Sequence, residues 1–462
     1  MIRVKSFKGK TIAVMGLGKS GLSTAKALMA SGAKVFAWDD SEDRRAEAEA
    51  SGIPVFGLTN GLWNDIDSVV LSPGIPHTFP TPHPVAALAR AHGKEIIGDV
   101  ELLTRAEQTA NYIGITGTNG KSTTTAMIGH ILETAQQPVQ VGGNLGTPAL
   151  DLAALDQSGT YVLELSSYQL ELIPSASFDI AILLNITPDH LDRHGGMEGY
   201  KAAKRRIFDH CRGTAIVGID DSDSAAICDA LRKQDGMNVI AISGTSRVAN
   251  GVYAEDGILY DDINGDCVAV LDLSDVPTLP GSHNAQNAAA AYAAARTSGL
   301  PREAIVDGIR TYPGLAHRQE LIATIDGVRY VNDSKATNPE AAAKALGSYS
   351  VIYWIAGGKP KEGGLDAITP FLPNIRHAFL IGEAADTLNV ALSGRIATRI
   401  SGTLAQALTD AHKLVQSEQP QQAVVLLSPA CASFDQFPNF EERGREFARL
   451  VHALPGAAEA TT

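Results

Sequence analysis

The segment NYIGITGTNGKSTTTAMIGHILETA, residues 111–135, limits the fold more than any other part of the chain. An apolar strand runs into a glycine loop rich in hydroxyls, a lysine closes the loop, and a helix follows at once. A parallel α/β sheet is the architecture that delivers such a loop to a helix start, where backbone N–H groups and the helix dipole face an anion. The chain opens in the same order, with TIAVM (11–15), the turn GLGKSG, the helical LSTAKALMASG closed by Gly32, and the strand KVFAWDD. VVLSPGI (69–75) reads as a further strand ending in a turn. Beyond the break at Tyr312-Pro313-Gly314, VRYVNDS, VIYWIAGG, HAFLIG and AVVLLSPA predict four more strands separated by helical stretches. The expected fold class is therefore α/β with three doubly wound units: a Rossmann-like unit over 1–99, a central phosphate-loop unit over 100–314 and a second Rossmann-like unit over 315–462. Ligands are expected in clefts between them, and the tail PGAAEATT is expected to fray.

At roughly 150 residues per domain, 462 residues agree with three units. A formal net charge of −13 argues against a broad nucleic-acid surface, so any phosphate site has to be built locally. Cys211, Cys228, Cys267 and Cys431 form neither a CxxC pair nor a disulfide framework, which fits a reducing compartment. No apolar run nears the roughly 20 residues of a membrane span, and the start leads straight into a strand, so a cytoplasmic protein acting as a monomer is expected.

In GITGTNGKSTTT, Lys121 is placed to reach outer phosphates and Ser122 or Thr123 to ligate Mg²⁺. The generic GxxxxGK[ST] pattern fails by one residue, because Ile115 stands where it wants glycine; Gly117 and Gly120 supply the flexibility. Gly16, Gly18 and Gly21 fit the dinucleotide fingerprint, with Asp39 and Asp40 near the spacing of a ribose-binding acid, although such glycines also serve plain helix-to-strand packing. Glu164 lies in the apolar strand YVLELSS, where a carboxylate is costly without a cation or donors. DIAILLNITPDHLDRH ends in Asp189, His190, Asp192 and His194, either a solvated turn or, with Glu164, a metal site. Lys201, Lys204, Arg205 and Arg206 crowd one helix, and by pattern alone they form a solvated basic face. Asn284 and Asn287, after His283, either read a base edge or cap a helix. Arg318 is a candidate phosphate clamp, and Asp333, Lys335 and Thr337 follow a strand where sheets place ligands, though Asp333 and Ser334 equally serve as a helix start.

GTNGKST, ELSSYQL, TPDHLD, the YKAAK helix, GSHNAQN, NDSKATNP and SPACASFDQF, in this order and across all three units, resemble the Mur ligases. GLGKSGLS, ELSSYQL and SPACASFDQF are most similar to the members that add D-glutamate to UDP-N-acetylmuramoyl-L-alanine in peptidoglycan precursor synthesis. The resemblance implies that Gly16, Gly18, Gly21, Asp39, Ser72 and Gly74 hold the UDP end, while Asn144 and Ser166 touch the rest of that substrate. It places ATP on Gly117, Thr118, Asn119, Gly120, Lys121, Ser122 and Thr123, with Asn284, Asn287, Arg318 and Asp333 around nucleoside and phosphates. It assigns Mg²⁺, in two sites, to Ser122, Glu164, His190 and Lys204, the last as a lysine carbamate formed from CO₂. Lys335, Thr337, Lys361, Ser433 and Phe440 would surround D-glutamate, with Lys359 a rival for Lys361. ATP would convert the L-alanyl carboxylate to an acyl phosphate, with Lys121 offsetting phosphoryl charge. A sister ligase with another acceptor shares the central loop, and a nicotinamide dehydrogenase would use only the first glycine turn.

Overall fold

In the computed structural model of the protein, the structure describes residues 1–59, 63–276, 278–279, 281, 283–360 and 364–459. Its strands form three sheets. The first has β1 (Thr11–Met15), β2 (Lys34–Trp38), β3 (Ser68–Leu71) and β4 (Glu95–Ile97), all parallel in the order β2-β1-β3-β4. The second contains β5 (Asn111–Thr116), β6 (Val139–Gly143), β7 (Thr160–Glu164), β8 (Ile180–Leu183), β9 (Thr214–Gly218), β10 (Asn238–Ser243), β11 (Val252–Glu255), β12 (Ile258–Asp261) and β13 (Val268–Asp272). Their order is β13-β12-β11-β10-β9-β8-β5-β7-β6, parallel except where β12 meets its two neighbours. β5 is buried along nearly its whole length, as a strand covered on both faces must be, which explains why it reads as continuous apolar sequence. Chain connections run to opposite sides of β5, so the loop at its carboxyl end sits at a topological switch point.

The third sheet comprises β14 (Glu320–Ile325), β15 (Val328–Asn332), β16 (Ile352–Gly357), β17 (Ile375–Ile381), β18 (Ala397–Gly402), β19 (Val424–Leu427) and β20 (Ala458–Glu459), in the order β18-β17-β16-β19-β15-β14-β20. The four apolar strands expected from sequence are its centre. The edges escaped the sequence reading because β18 is largely solvent-facing and lacks an apolar run. The tail does not fray throughout: Ala458 and Glu459 pair antiparallel with Thr324 and Ala323, so backbone hydrogen bonding holds a segment whose composition gave no strand signal.

By compactness the chain divides into residues 1–275 with 282–312, and 276–281 with 313–462. The first unit holds two sheets, joined where the Gly98 N–H donates to Leu172 O at 2.8 Å. In its centre the helix His283–Thr297 packs on the helix Lys121–Thr134. Ala288 to Ala295, with Tyr292, are fully buried there; small side chains permit close helix approach, so this alanine run is a core element rather than a solvent-exposed one. The second unit has its own core on both faces of its sheet, around Trp354 on one side and Phe379 and Phe447 on the other.

Candidate active site

The N-terminal glycine turn is built by packing. Gly16 has φ +90°, and a Cβ on Gly21 would lie 1.8 Å from Gly16 O, so no larger residue fits where the helix Lys19–Ala30 crosses β1. A Cβ on Gly18 would meet nothing closer than 3.9 Å, which leaves that face open. Ser72 Oγ donates to Gly16 O at 2.8 Å, joining the Ser72-Pro73-Gly74 turn to the glycine turn. The Asp39 carboxylate accepts from Leu17 N at 2.7 Å and Ser41 N at 2.9 Å. Burial would raise its pKa, but those bonds and Arg44 outweigh burial and lower it. Asp40 pairs with His83 at 3.0 Å.

The central loop follows β5. Gly117 and Gly120 have φ +152° and +83°, and a Cβ on Gly120 would fall 2.1 Å from Asn287 Oδ1, so the tight loop requires glycine there. Asn185, at the end of β8, anchors the loop from the side: Thr118 N donates to its backbone oxygen and Asn119 N to Oδ1, each at 2.9 Å. The helix Lys121–Thr134 starts on Gly120 without a side-chain cap, with Ser122 buried in its first turn and Thr123 partly buried. Lys121 Nζ donates to Gly117 O at 2.9 Å and Thr118 O at 3.0 Å. The two asparagines of the alanine helix are buried beside the loop, Asn287 Nδ2 donating to Asn284 Oδ1 at 3.0 Å and Thr124 Oγ1 to Asn287 Oδ1 at 3.3 Å. They are neither exposed caps nor displayed on an open face.

Lys204 overturns the reading of its helix as a solvated face. It is 1 % exposed, and its Nζ donates to the same Gly117 O at 2.8 Å. Burial first, then the neighbouring Lys121 ammonium, pull its pKa well below the ordinary lysine value. Lys201 instead pairs with Glu198 and Asp223, so one helix carries both a solvent-side cation and a buried amine.

Glu164 is 2 % exposed at the end of β7. Asn144 Nδ2 donates to its Oε1 at 2.6 Å, while among the described residues Oε2 meets no donor. A buried carboxylate oxygen left so is suited to a cation. Ser122 and Glu164 together offer the hard oxygen donors that Mg²⁺ prefers, so the residues fit that ion. His190 is exposed and has φ +51°, with its ring against Tyr168; among the described residues no group of three or more His, Cys, Asp or Glu is arranged to hold a metal ion. Ser166 caps the short helix Ser167–Leu170 in a capping box with Gln169, which occupies its hydroxyl.

In the second unit, Asp333 and Ser334 are not a helix start. The next helix, Pro339–Leu346, is capped by Asn338. Asp333 is buried at the end of β15, accepting from Ser428 Oγ at 2.7 Å and Gln319 N at 3.2 Å, and burial pushes its carboxyl up to about 7 against those bonds and the charge of Arg318. Lys335 Nζ lies 5.8 Å over the Phe440 ring, and Thr337 N donates to Lys335 O at 2.8 Å. Ser433 is buried, and Lys359 is exposed with its backbone bridged to Ala432. Lys361 lies outside the described residues. A hollow of about 690 Å³ lined by Thr403, Gln436, Asn439 and Glu442 holds none of these side chains.

The Mur ligase middle domain family matches residues 115–295, and the Mur ligase MurD-like N-terminal domain family matches residues 10–98. The UDP-N-acetylmuramoylalanine–D-glutamate ligase of Rhodospirillum rubrum is 54% identical over 462 residues, covering 98% of this chain and 97% of that protein. The chain belongs to the Mur ligase family. The protein of the same name from Paramagnetospirillum magneticum is 51% identical, covering 98% and 99%. Among solved structures, the UDP-N-acetylmuramate-alanine ligase MurC of Thermotoga maritima superposes with a TM-score of 0.58 at 17% identity, over 95% of this chain and 98% of that one. MurF from Acinetobacter baumannii gives 0.58 at 19%, over 97% and 93%, so the shared fold extends to ligases of other acceptors.

Near the candidate site of this Mur ligase, Glu171, His77 and Arg193 carried no sequence signal, and His194 was legible only as part of the DHLDRH turn. Glu171 pairs with His77 at 3.0 Å and His194 at 3.1 Å, and His194 also reaches Ser167 Oγ at 2.9 Å. Burial would raise the Glu171 pKa, but the two histidines bring it down to about 2. Arg193 donates to Gly74 O at 2.9 Å while stacking on Tyr168. These contacts bind the Ser72-Pro73-Gly74 turn to the loop carrying His190, across sequence separations that no local pattern reveals. Among the described residues no helix is long and apolar enough to cross a membrane.

Proposed function

We propose that this Mur ligase joins D-glutamate to UDP-N-acetylmuramoyl-L-alanine at the expense of ATP, a step of peptidoglycan precursor synthesis, and that the residues described above carry it. The observation that bears most weight is the convergence of Lys121 and Lys204 on one carbonyl, Gly117 O, in a chain of net charge −13. The shared carbonyl sets Lys121 as the local cation of a switch-point phosphate loop and holds the Lys204 amine beside it.

A carboxylate is a poor acylating group because its oxygen leaves badly. Transfer of the γ-phosphoryl group to the L-alanyl carboxylate gives an acyl phosphate; the D-glutamate amine then attacks that carbonyl, the C–O bond breaks, and inorganic phosphate leaves. Lys121 opposes charge on the phosphoryl group, in a reaction governed by positioning and electrostatics. Gly117 to Thr123 cradle the phosphates, and Asn284 and Asn287 hold the loop from behind; the family resemblance also assigns Arg318 and Asp333 to ATP. Ser122, Glu164 and His190 would hold Mg²⁺, which when bound neutralises phosphate charge. The lowered proton affinity of Lys204 favours the neutral form of the amine, the form that takes up CO₂, and the carbamate would supply an anion for a second Mg²⁺. The glycine turn, with Asp39 shaping it, and the Ser72–Gly74 turn hold the UDP end, near Asn144 and Ser166. Lys335, Thr337, Ser433 and Phe440, with Lys359 or Lys361, receive D-glutamate, where cations offset repulsion between two anionic substrates.

Phosphate release from the purified protein tests this reading. Strict dependence on both UDP-N-acetylmuramoyl-L-alanine and D-glutamate is expected, with L-alanine and a diamino acid inactive as acceptors. NADH binding without response to the UDP substrate would overturn it in favour of a dehydrogenase.

A further inference from the structure

Arg443 is 1 % exposed on the helix Phe440–His452, and every one of its five N–H donors meets a neutral oxygen. Nε donates to Ser334 Oγ at 3.0 Å, Nη1 to Cys431 O at 3.2 Å and Ala432 O at 3.3 Å, and Nη2 to Ser334 O at 2.9 Å and Cys431 O at 3.2 Å. Among the described residues it forms no ion pair. A buried charge without a carboxylate partner is costly, and burial brings even this guanidinium down to about 10, yet it stays protonated at neutral pH. The fold keeps it because a planar fork can hold several carbonyls at once, which an ammonium cannot.

The acceptors belong to the segments that carry the D-glutamate candidates. Ser334 precedes Lys335, and its hydroxyl passes the chain of bonds on to Phe440 O at 2.8 Å. Cys431 and Ala432 precede Ser433. Ala432 O also accepts the Lys359 N–H at 2.8 Å, and a Cβ on Gly358 would lie 3.1 Å from Nη1. One side chain therefore joins three loops and a helix start, and adds a positive charge that Asp435 feels without a salt bridge among the described residues.

We infer that Arg443 is a positioning residue for the acidic acceptor: it locks the 333–337 and 429–434 loops in register, and its charge, held in no salt bridge among the described residues, favours an amino acid with two carboxylates there. The inference rests on the proposed function for the identity of that amino acid. It is tested with the full-length enzyme by measuring KM for D-glutamate, ATP and the UDP substrate in Arg443→Lys and Arg443→Met, with hydrogen exchange on both loops. Because small misplacement of substrate-holding groups is expensive, Arg443→Lys is expected to raise KM for D-glutamate by about 10- to 100-fold, with the other two KM values within about twofold and the loops exchanging faster. Arg443→Met, without the charge, is expected to raise it further. If the methionine variant does not fold, Ser334→Ala, which removes the Nε acceptor and the hydroxyl's bond to Phe440 O while leaving the charge in place, carries the same comparison. An unchanged KM for D-glutamate, or equal rises in all three, would overturn the inference. Failure of the parent reading is separate, since the unmodified enzyme would then release no phosphate in response to D-glutamate.

Discussion

Replacing Asp333 by asparagine should stabilise the second unit at alkaline pH while impairing the enzyme. Its carboxyl is buried at the end of β15 and raised from 3.8 to about 7, with burial the dominant cause. At 1.36 kcal/mol per unit, a shift of about 3 units corresponds to a ceiling of about 4 kcal/mol. The sign follows from proton counting. Between pH 3.8 and about 7 the native state holds a proton that the unfolded chain has released, so stability falls as pH rises through that window and is level above it. Asparagine keeps the Gln319 N–H bond on its amide oxygen, and the Ser428 hydroxyl can turn to accept from its NH₂ group, so the variant escapes the charge without losing its contacts. For a unit of this size, about 4 kcal/mol is a ceiling of roughly 8–16 °C in Tm. Opening free energies from hydrogen exchange at β15 and β19, compared at pH 5 and pH 8.5, isolate this unit. The unmodified protein should lose stability between these pH values relative to Asp333→Asn, which should also turn over poorly if Asp333 serves ATP. Equal pH dependence in the two proteins would refute the reasoning.

Four further outcomes are expected. Lys121→Ala should lower kcat by several orders of magnitude with an unchanged circular dichroism spectrum, because it removes charge at the transferring phosphoryl group. Lys204→Ala should lose most turnover and recover part of it with added short carboxylic acids, and ¹³C-bicarbonate should give a carbamate NMR signal in the unmodified enzyme alone. Gly120→Ala, whose Cβ would fall 2.1 Å from Asn287 Oδ1 at φ +83°, should raise KM for ATP by tenfold or more, on the order of the 2 kcal/mol expected for strain and a displaced buried asparagine. Glu171→Gln should flatten acid denaturation: its carboxylate contributes stability above pH 4.5 that is lost as pH falls toward about 2, so the variant should be less stable near neutrality and converge with the parent in acid, as urea titrations at several pH values would show.

The sequence alone made legible which strands lie at the sheet centres, because a strand covered on both faces is mostly apolar, as β8, β16, β19 and the middle of β5 are. It also determined the loop glycines, since Gly16, Gly117 and Gly120 adopt backbone conformations or close approaches that other residues resist. Ordered motifs along the chain revealed the family. Edge strands such as β18 and β20 stayed hidden, for an edge needs only backbone pairing and leaves no apolar signature. Local pattern also misjudged side chains whose surroundings come from distant segments. The YKAAKRR helix looks equally basic at Lys201 and Lys204, and only packing against the β5 loop buries one amine beside Lys121 and leaves its neighbour in salt bridges at the surface. Asp39 has the spacing of a ribose-binding acid, and the spacing says nothing of the Leu17 N–H that tertiary folding adds to its carboxylate. The Glu171–His77–His194 cluster and the Arg443 clip join residues up to 109 positions apart, as Arg443 and Ser334 are. Periodicity reports on near neighbours, whereas burial, proton affinity and hydrogen-bond partners depend on which remote chain segments the fold brings alongside.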